Sequence, residues 1–189
     1  MNAITKIAVF ASGSGSNFQA IQEAIARGEL NAKVVLVVTD KPGAFVVTRA
    51  ENLNIPVLAL QPKEFASKAD YENAIVKALS ECGVEWIVLA GYMRLIGEVL
   101  LTAYPQRIVN IHPSLLPSFP GKDAIGQALD HGVKITGVTV HFVDEGMDTG
   151  PIIAQAAVPV VVGDREATEN AIHKEEHVLY PAALQQLLN

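Results

Sequence analysis

Asn110 and His112 stand two residues apart in the stretch VNIHPSLLPSFPG, residues 109–121. In an extended chain, side chains two apart leave on the same face, so an amide and an imidazole project side by side. Pro113, Pro117 and Pro120 follow at once and restrict the backbone that holds them. Further on, DEGMDTG sets Asp144, Glu145 and Asp148 in a loop with two glycines, where backbone can approach other groups closely. An amide, an imidazole and a carboxylate without a serine or cysteine nucleophile suit direct acyl transfer to an external amine. Asn110 and a protonated His112 would hydrogen-bond the oxyanion formed by the attack. Asp148 would take the proton of the incoming amine, directly or through water. Ser114 is the rival hydroxyl nearby, but it lacks a second histidine at a telling spacing and a G-x-S-x-G elbow.

ASGSGSN, residues 11–17, offers a second kind of chemistry. Gly13 and Gly15 permit tight or left-handed backbone, and Ser16 or Asn17 is available to cap a following helix. Free amides and the helix dipole then favour a phosphate above them. The dinucleotide pattern G-x-G-x-x-G fails at Phe18, and the lysine of a P-loop is missing. A single phosphomonoester therefore fits better than a dinucleotide. The carboxylates of DEGMDTG lack EF-hand spacing, and a metal held by His112, His141 and an aspartate lacks an established ligand spacing, so no metal is expected.

Elements that could position these groups are visible as a periodic alternation. KIAVFA (6–11), KVVLVVT (33–39), PVLAL (56–60), EWIVLA (85–90) and RIVNI (107–111) read as strands buried on both faces. Helical spacing over 18–28, 44–54 and 71–83 separates them. The alternation predicts an α/β, doubly wound, mostly parallel open sheet. After Gly121 the pattern changes to two strands, 133–143 and 151–162, expected to pair antiparallel at one side of the sheet. A helix over 166–188 closes the chain, with Pro181 expected to kink or interrupt it. In such sheets ligands sit at the carboxyl ends of the strands. The rule selects the glycine-rich turn, GYMRLIG after the fourth strand, NIHPSLLP after the fifth and the DEGMDTG loop. No repeat or linker is visible, and residues 1–189 are expected to form one domain.

Composition narrows the partners. Half of the 189 residues are hydrophobic and 18% are charged, as in a globular chain, and the formal net charge is -6. No basic stripe accompanies that charge, so nucleic acid is not an expected partner. Cys82 is the only cysteine, which excludes an internal disulfide and a cysteine metal cluster. The N-terminal apolar stretch is too short for a signal peptide or a membrane span, and a cytoplasmic location is expected.

The blocks SGSGSN, LAGYMRLI, NIHPSLLPSFPG and GVTVHFVDEGMDTGPII, in that order along nearly the whole chain, resemble the folate-dependent formyltransferases. The resemblance implies a Rossmann-like formyltransferase fold. Its part up to about residue 105 would bind phosphate and nucleotide, and its part from about 106 would be catalytic and folate-binding. The implied activity is transfer of a formyl group from 10-formyltetrahydrofolate to the amine of 5'-phosphoribosylglycinamide in purine biosynthesis, with SGSGSN pointing to that acceptor. By motif position, Asn110, His112 and Asp148 match the catalytic set, and Gly15, Ser16 and Asn17 match the phosphate grip. Glu176, with Glu175 beside it as the alternative, matches a carboxylate that holds the ribonucleotide. Lys68, Leu89, Met93, Arg94, Leu95, Ile96, Asn110, Val143, Asp144, Glu145, Gly146 and Met147 match the folate site. No role attaches to residues 122–125. Segment 163–177 resembles a form one residue shorter than is usual, with Asn170 and His173 where Leu and Arg are typical, and a looser final helix is expected. The implied partners are small molecules, with no membrane, and a monomer or homodimer. Methionyl-tRNA formyltransferase, formyltetrahydrofolate hydrolase and a non-catalytic nucleotide- or folate-binding module are the competing readings. The first would carry a basic tRNA-binding domain and the second an N-terminal regulatory domain. The third would be free to lose the polar trio.

Overall fold

The structure, a computed structural model, describes residues 3–188. Seven strands, β1 (Thr5–Phe10), β2 (Ala32–Thr39), β3 (Val57–Ala59), β4 (Trp86–Leu89), β5 (Ile108–His112), β6 (Ile135–Phe142) and β7 (Ile152–Pro159), form one sheet in the order β3-β2-β1-β4-β5-β6-β7. The first five strands pair parallel, β6 returns antiparallel to β5, and β7 is antiparallel to β6. The fold class expected from the alternation is the one observed.

Among the described residues six α-helices cover the sheet: α1 (Ser16–Ala26), α2 (Phe45–Asn52), α3 (Lys68–Glu81), α4 (Glu98–Ala103), α5 (Ala124–His131) and α6 (Arg165–Leu188). Both faces of the inner strands are apolar, and each face has its own core. One core packs Phe18 and Ile21 of α1, Val46 of α2, Ile125 of α5 and Ile172 and Leu184 of α6 against β1, β4, β5 and β6. The other packs Tyr71, Ile75 and Leu79 of α3 and Leu100 of α4 against β1, β2 and β4. β1 lies between β2 and β4, so the direction of winding reverses there. That switch opens a crevice beyond the carboxyl ends of β1 and β4.

Two short helices were not legible in the sequence. α4 supplies the β4–β5 crossover. α5 follows the proline-rich stretch and is capped by Asp123, whose Oδ1 accepts the Gly126 amide at 3.2 Å. Of the kink or interruption expected at Pro181, the interruption does not occur: α6 runs through it for 24 residues. Proline deprives the preceding turn of one amide donor, but Tyr180, Pro181, Ala183 and Leu184 are all buried, and packing outweighs the lost bond. Nor does the shortened 163–177 segment leave the helix loose. The buried Tyr180 hydroxyl donates to the carbonyls of Leu89 (2.7 Å) on β4 and Val109 (3.3 Å) on β5.

Candidate active site

A cavity of about 820 Å³ lies over the winding switch, walled by the turn after β1, the segment after β4, the end of β5, the β6–β7 loop and part of α6. At the turn, Gly15 has φ 74° and stands at the N-terminus of α1 with no side-chain cap. A Cβ on Gly15 would fall 2.6 Å from Val46 Cγ2, so backbone angle and space both demand glycine. The cap expected from Ser16 or Asn17 is therefore not formed. Ser16 is already helical, and the Asn17 side chain turns away to give its Nδ2 hydrogens to Glu176 Oε2 at 3.2 Å. Asn17 Oδ1 is left buried with no hydrogen-bond partner. His173 Nδ1, one turn before Glu176 on α6, lies 3.1 Å from the same Oε2. That hydrogen bond raises the His173 pKa above the usual imidazole value. The geometry brings Glu176, rather than the neighbouring Glu175, to the glycine-rich turn.

The end of β5 carries the polar pair, and its register sets Asn110 opposite His141 and His112 opposite Thr139 on β6. His141 Nδ1 is 2.9 Å from the Phe142 carbonyl, which only accepts, so that nitrogen bears the hydrogen. Burial lowers the pKa of this ring, which is thus neutral, and Nε2 accepts from Asn110 Nδ2 at 3.3 Å. By the same logic His112 Nε2 donates to the Phe119 carbonyl at 2.9 Å, and Nδ1 faces Asp148 Oδ2 at 3.5 Å. Asp148 adopts φ 56°, accepts the Gly121 amide at 2.8 Å and lies 3.8 Å from His141 Nε2. The expected trio converges on one wall of the cavity.

The stretch after β5 is stitched down rather than free. Leu116–Pro117 is a cis bond, Leu116 N donates to Thr139 Oγ1 (3.1 Å), and Gln155 Nε2 donates to the Leu116 carbonyl (2.9 Å). Ser114 is fully buried and its hydroxyl donates to the Ser118 carbonyl at 2.6 Å, which removes the rival nucleophile.

Across the cavity, Leu89 and Ile96 are buried, whereas Met93, Leu95 and Met147 expose apolar surface. Leu89, Met93, Arg94, Leu95, Ile96, Val143, Asp144, Gly146 and Met147 all line the crevice. Asp144 Oδ1 is occupied by the Gly146 amide (3.0 Å) and the Thr149 hydroxyl (2.6 Å), so this carboxylate shapes its own loop. Lys68 and Glu145 are not among the lining residues: Lys68 packs beside Gly97, and Glu145 is exposed. Sequence reading missed His141 and His173 as members of the site, and gave no role to 122–125, which also line it. His141 reaches Asn110 through strand pairing, for which one sequence carries no signal. Among the described residues no group of three or more His, Cys, Asp or Glu is gathered to hold a metal ion. No helix of the described residues is long and apolar enough to cross a membrane.

Residues 5–184 match the family model described as formyl transferase. The chain is 55% identical over 184 residues to the phosphoribosylglycinamide formyltransferase of Bacillus subtilis, covering 97% of this chain and 94% of that protein. It is 46% identical to a stretch of the trifunctional purine biosynthetic protein adenosine-3 of Drosophila melanogaster, covering 97% of this chain and 14% of that protein. Among solved structures, glycinamide ribonucleotide transformylase 1 from Geobacillus kaustophilus superposes with a TM-score of 0.96 at 59% identity. That match covers 98% of this chain and all of the other.

Proposed function

The chain belongs to the formyl transferase family, and on that premise we propose that it moves the formyl group of 10-formyltetrahydrofolate to the amine of 5'-phosphoribosylglycinamide in purine biosynthesis. The observation that supports the mechanism is the meeting of Asn110, His112 and Asp148 in one crevice, with the Ser114 hydroxyl buried and engaged and the Thr149 hydroxyl given to Asp144. With the Ser114 and Thr149 hydroxyls both engaged, the substrate amine attacks the formyl carbon itself. The carbonyl π pair moves onto oxygen, and that oxyanion needs donors. Asn110 offers an amide hydrogen on a side chain oriented by His141. His112 Nδ1, whose 3.5 Å contact to Asp148 is loose, offers a second when protonated. Asp148 takes the proton the amine sheds and, directly or through water, returns it to the departing folate nitrogen as the old C–N bond breaks. Atoms and charge balance without a covalent enzyme intermediate.

The cavity has the size and polarity to fit both substrates. Its volume suits small-molecule ligands. The amides of Ser16 and Asn17 and the dipole of α1 would take the phosphate. The oxygen of Glu176 left free by Asn17 and His173 would accept sugar hydroxyls. Met93, Leu95 and Met147 would face the pterin and aryl rings of the donor, with Arg94 toward its anionic end. The deciding experiment supplies purified protein with 10-formyltetrahydrofolate and three acceptors: phosphoribosylglycinamide, charged initiator tRNA and water. Formyl transfer to the first alone is expected, and comparable transfer to either of the others would overturn the assignment.

A further inference from the structure

Asp40 follows β2 in the segment TDKPG and has no part in the reaction just described. Its side chain is only 2% exposed. Such a burial is costly unless each oxygen is matched. Oδ1 accepts the Ser12 hydroxyl at 2.5 Å, and Oδ2 accepts Arg94 Nε at 3.0 Å. The Ser12 oxygen in turn accepts the Met93 amide at 2.9 Å, and Ser12 N donates to the Gly91 carbonyl at 2.9 Å. One buried carboxylate therefore grips the 91–95 segment twice, through Arg94 directly and through Ser12 at Met93. Arg94 is bound by Nε alone, and its side chain stays 48% exposed on the crevice wall. Among the described residues its two Nη atoms meet no acceptor. That leaves a planar pair of donors with its direction already fixed, the shape that receives a second carboxylate.

We infer that Asp40 is a positioning residue for the formyl donor, aiming Arg94 at a carboxylate of the donor's glutamyl end and holding the Met93 backbone against its rings. The inference rests on the reading of the crevice as a formylfolate site. Its force comes from the atoms Asp40 leaves available: it consumes the inner edge of the guanidinium and spares the outer one. A carboxylate present only for packing would carry no preference between the two substrates.

Asp40→Asn tests this, because an asparagine can keep its oxygen toward Ser12 but then presents NH₂ to Arg94 Nε, donor against donor. The KM for 10-formyltetrahydrofolate should rise about tenfold, as expected for losing one charge-assisted hydrogen bond. The KM for the phosphoribosyl acceptor should stay within about twofold. Arg94→Ala should give a similar rise, and the double variant no more than the larger single effect. With 10-formyltetrahydropteroate, which lacks the glutamate carboxylates, Asp40→Asn and wild type should have equal KM. Additive effects in the double variant, an equal rise in acceptor KM, or undiminished sensitivity with the truncated donor would each overturn the inference. Ser12→Ala serves if Asp40→Asn fails to fold, since it removes one hydroxyl and little volume. A selective rise in donor KM supports the arrangement, and an unchanged donor KM overturns it. Absence of wild-type turnover with any formylfolate would bring down the functional reading and this inference together, whereas normal wild-type turnover with an unselective Asp40→Asn brings down the inference alone.

Discussion

At His112 the Phe119 carbonyl decides which ring nitrogen carries the permanent hydrogen, and Asp148 faces the other. His141 is held the opposite way, neutral by burial and bound by Nδ1 to its neighbour's carbonyl, so that it receives rather than gives toward Asn110. In the proposed mechanism two histidines a few ångströms from one carboxylate would thus have distinct tasks, one to donate to developing charge and one to orient an amide. His112→Ala should lower kcat by roughly 10²–10⁴-fold, the range for losing a general acid or an oxyanion donor. Asp148→Asn should do likewise. It is conformationally mild, because asparagine tolerates the left-handed φ of 56° that position 148 requires. Steady-state kinetics alongside calorimetric binding of each substrate would check both, with affinities changed far less than turnover. Turnover close to wild type in either variant would remove that residue from the mechanism.

Among the elements, α6 carries more of the site than its polar, low-complexity-free sequence suggested. Glu176 and Tyr180 lie four residues apart, on one face, and Tyr180 fixes the helix to β4 and β5 at the residues just before Ala90 and Asn110. Tyr180→Phe should cost about 1–2 kcal/mol in urea unfolding, since it strips a donor from two buried carbonyls. A change within about 0.5 kcal/mol, the scatter of surface substitutions, would mean that those bonds do not anchor the helix. The strands were legible because β-branched runs such as KVVLVVT have few other ways to bury both faces. α4 and α5 were not legible: α4 has six residues, too few to show a period, and the cap that starts α5, Asp123, takes its role only in the folded loop. The helix continues past Pro181, where a local rule about donors says nothing of how much packing surrounds the residue.

For the molecule as a whole, a net charge of -6 sits oddly with two anionic substrates unless recognition is local. On the proposed reading, backbone amides at α1 and the guanidinium of Arg94 would supply it without a basic surface. Phosphoribosylglycinamide at a hundred times its Kd should stabilise the fold by about 2.7 kcal/mol, a Tm rise of roughly 5–10 °C for a chain of this size. The dephosphorylated analogue at the same concentration should raise it by less than about 2 °C. Equal shifts in a thermal melt would remove the glycine-rich turn from phosphate binding. Asn110, His112 and Asp148 were readable as candidates because strand spacing and loop composition mark them locally. Asp40, His141 and His173 were not, since each takes its meaning from a partner brought near by the fold: Arg94 and Ser12, Asn110, and Glu176.

Gly15 has a further consequence, in the routes by which this sequence can change. Asparagine there would tolerate the backbone angle but collide with residue 46, whose Cβ and backbone Cα lie 2.8 and 3.0 Å from where the new Cβ would stand, so trimming the Val46 side chain would not relieve the contact. No single exchange at position 15 is free of cost. The turn is therefore an isolated point in sequence space, closed by the backbone of residue 46 as much as by the angle at 15, whereas the latch of Asp40 and Arg94 is made by side chains and is open to exchange one residue at a time.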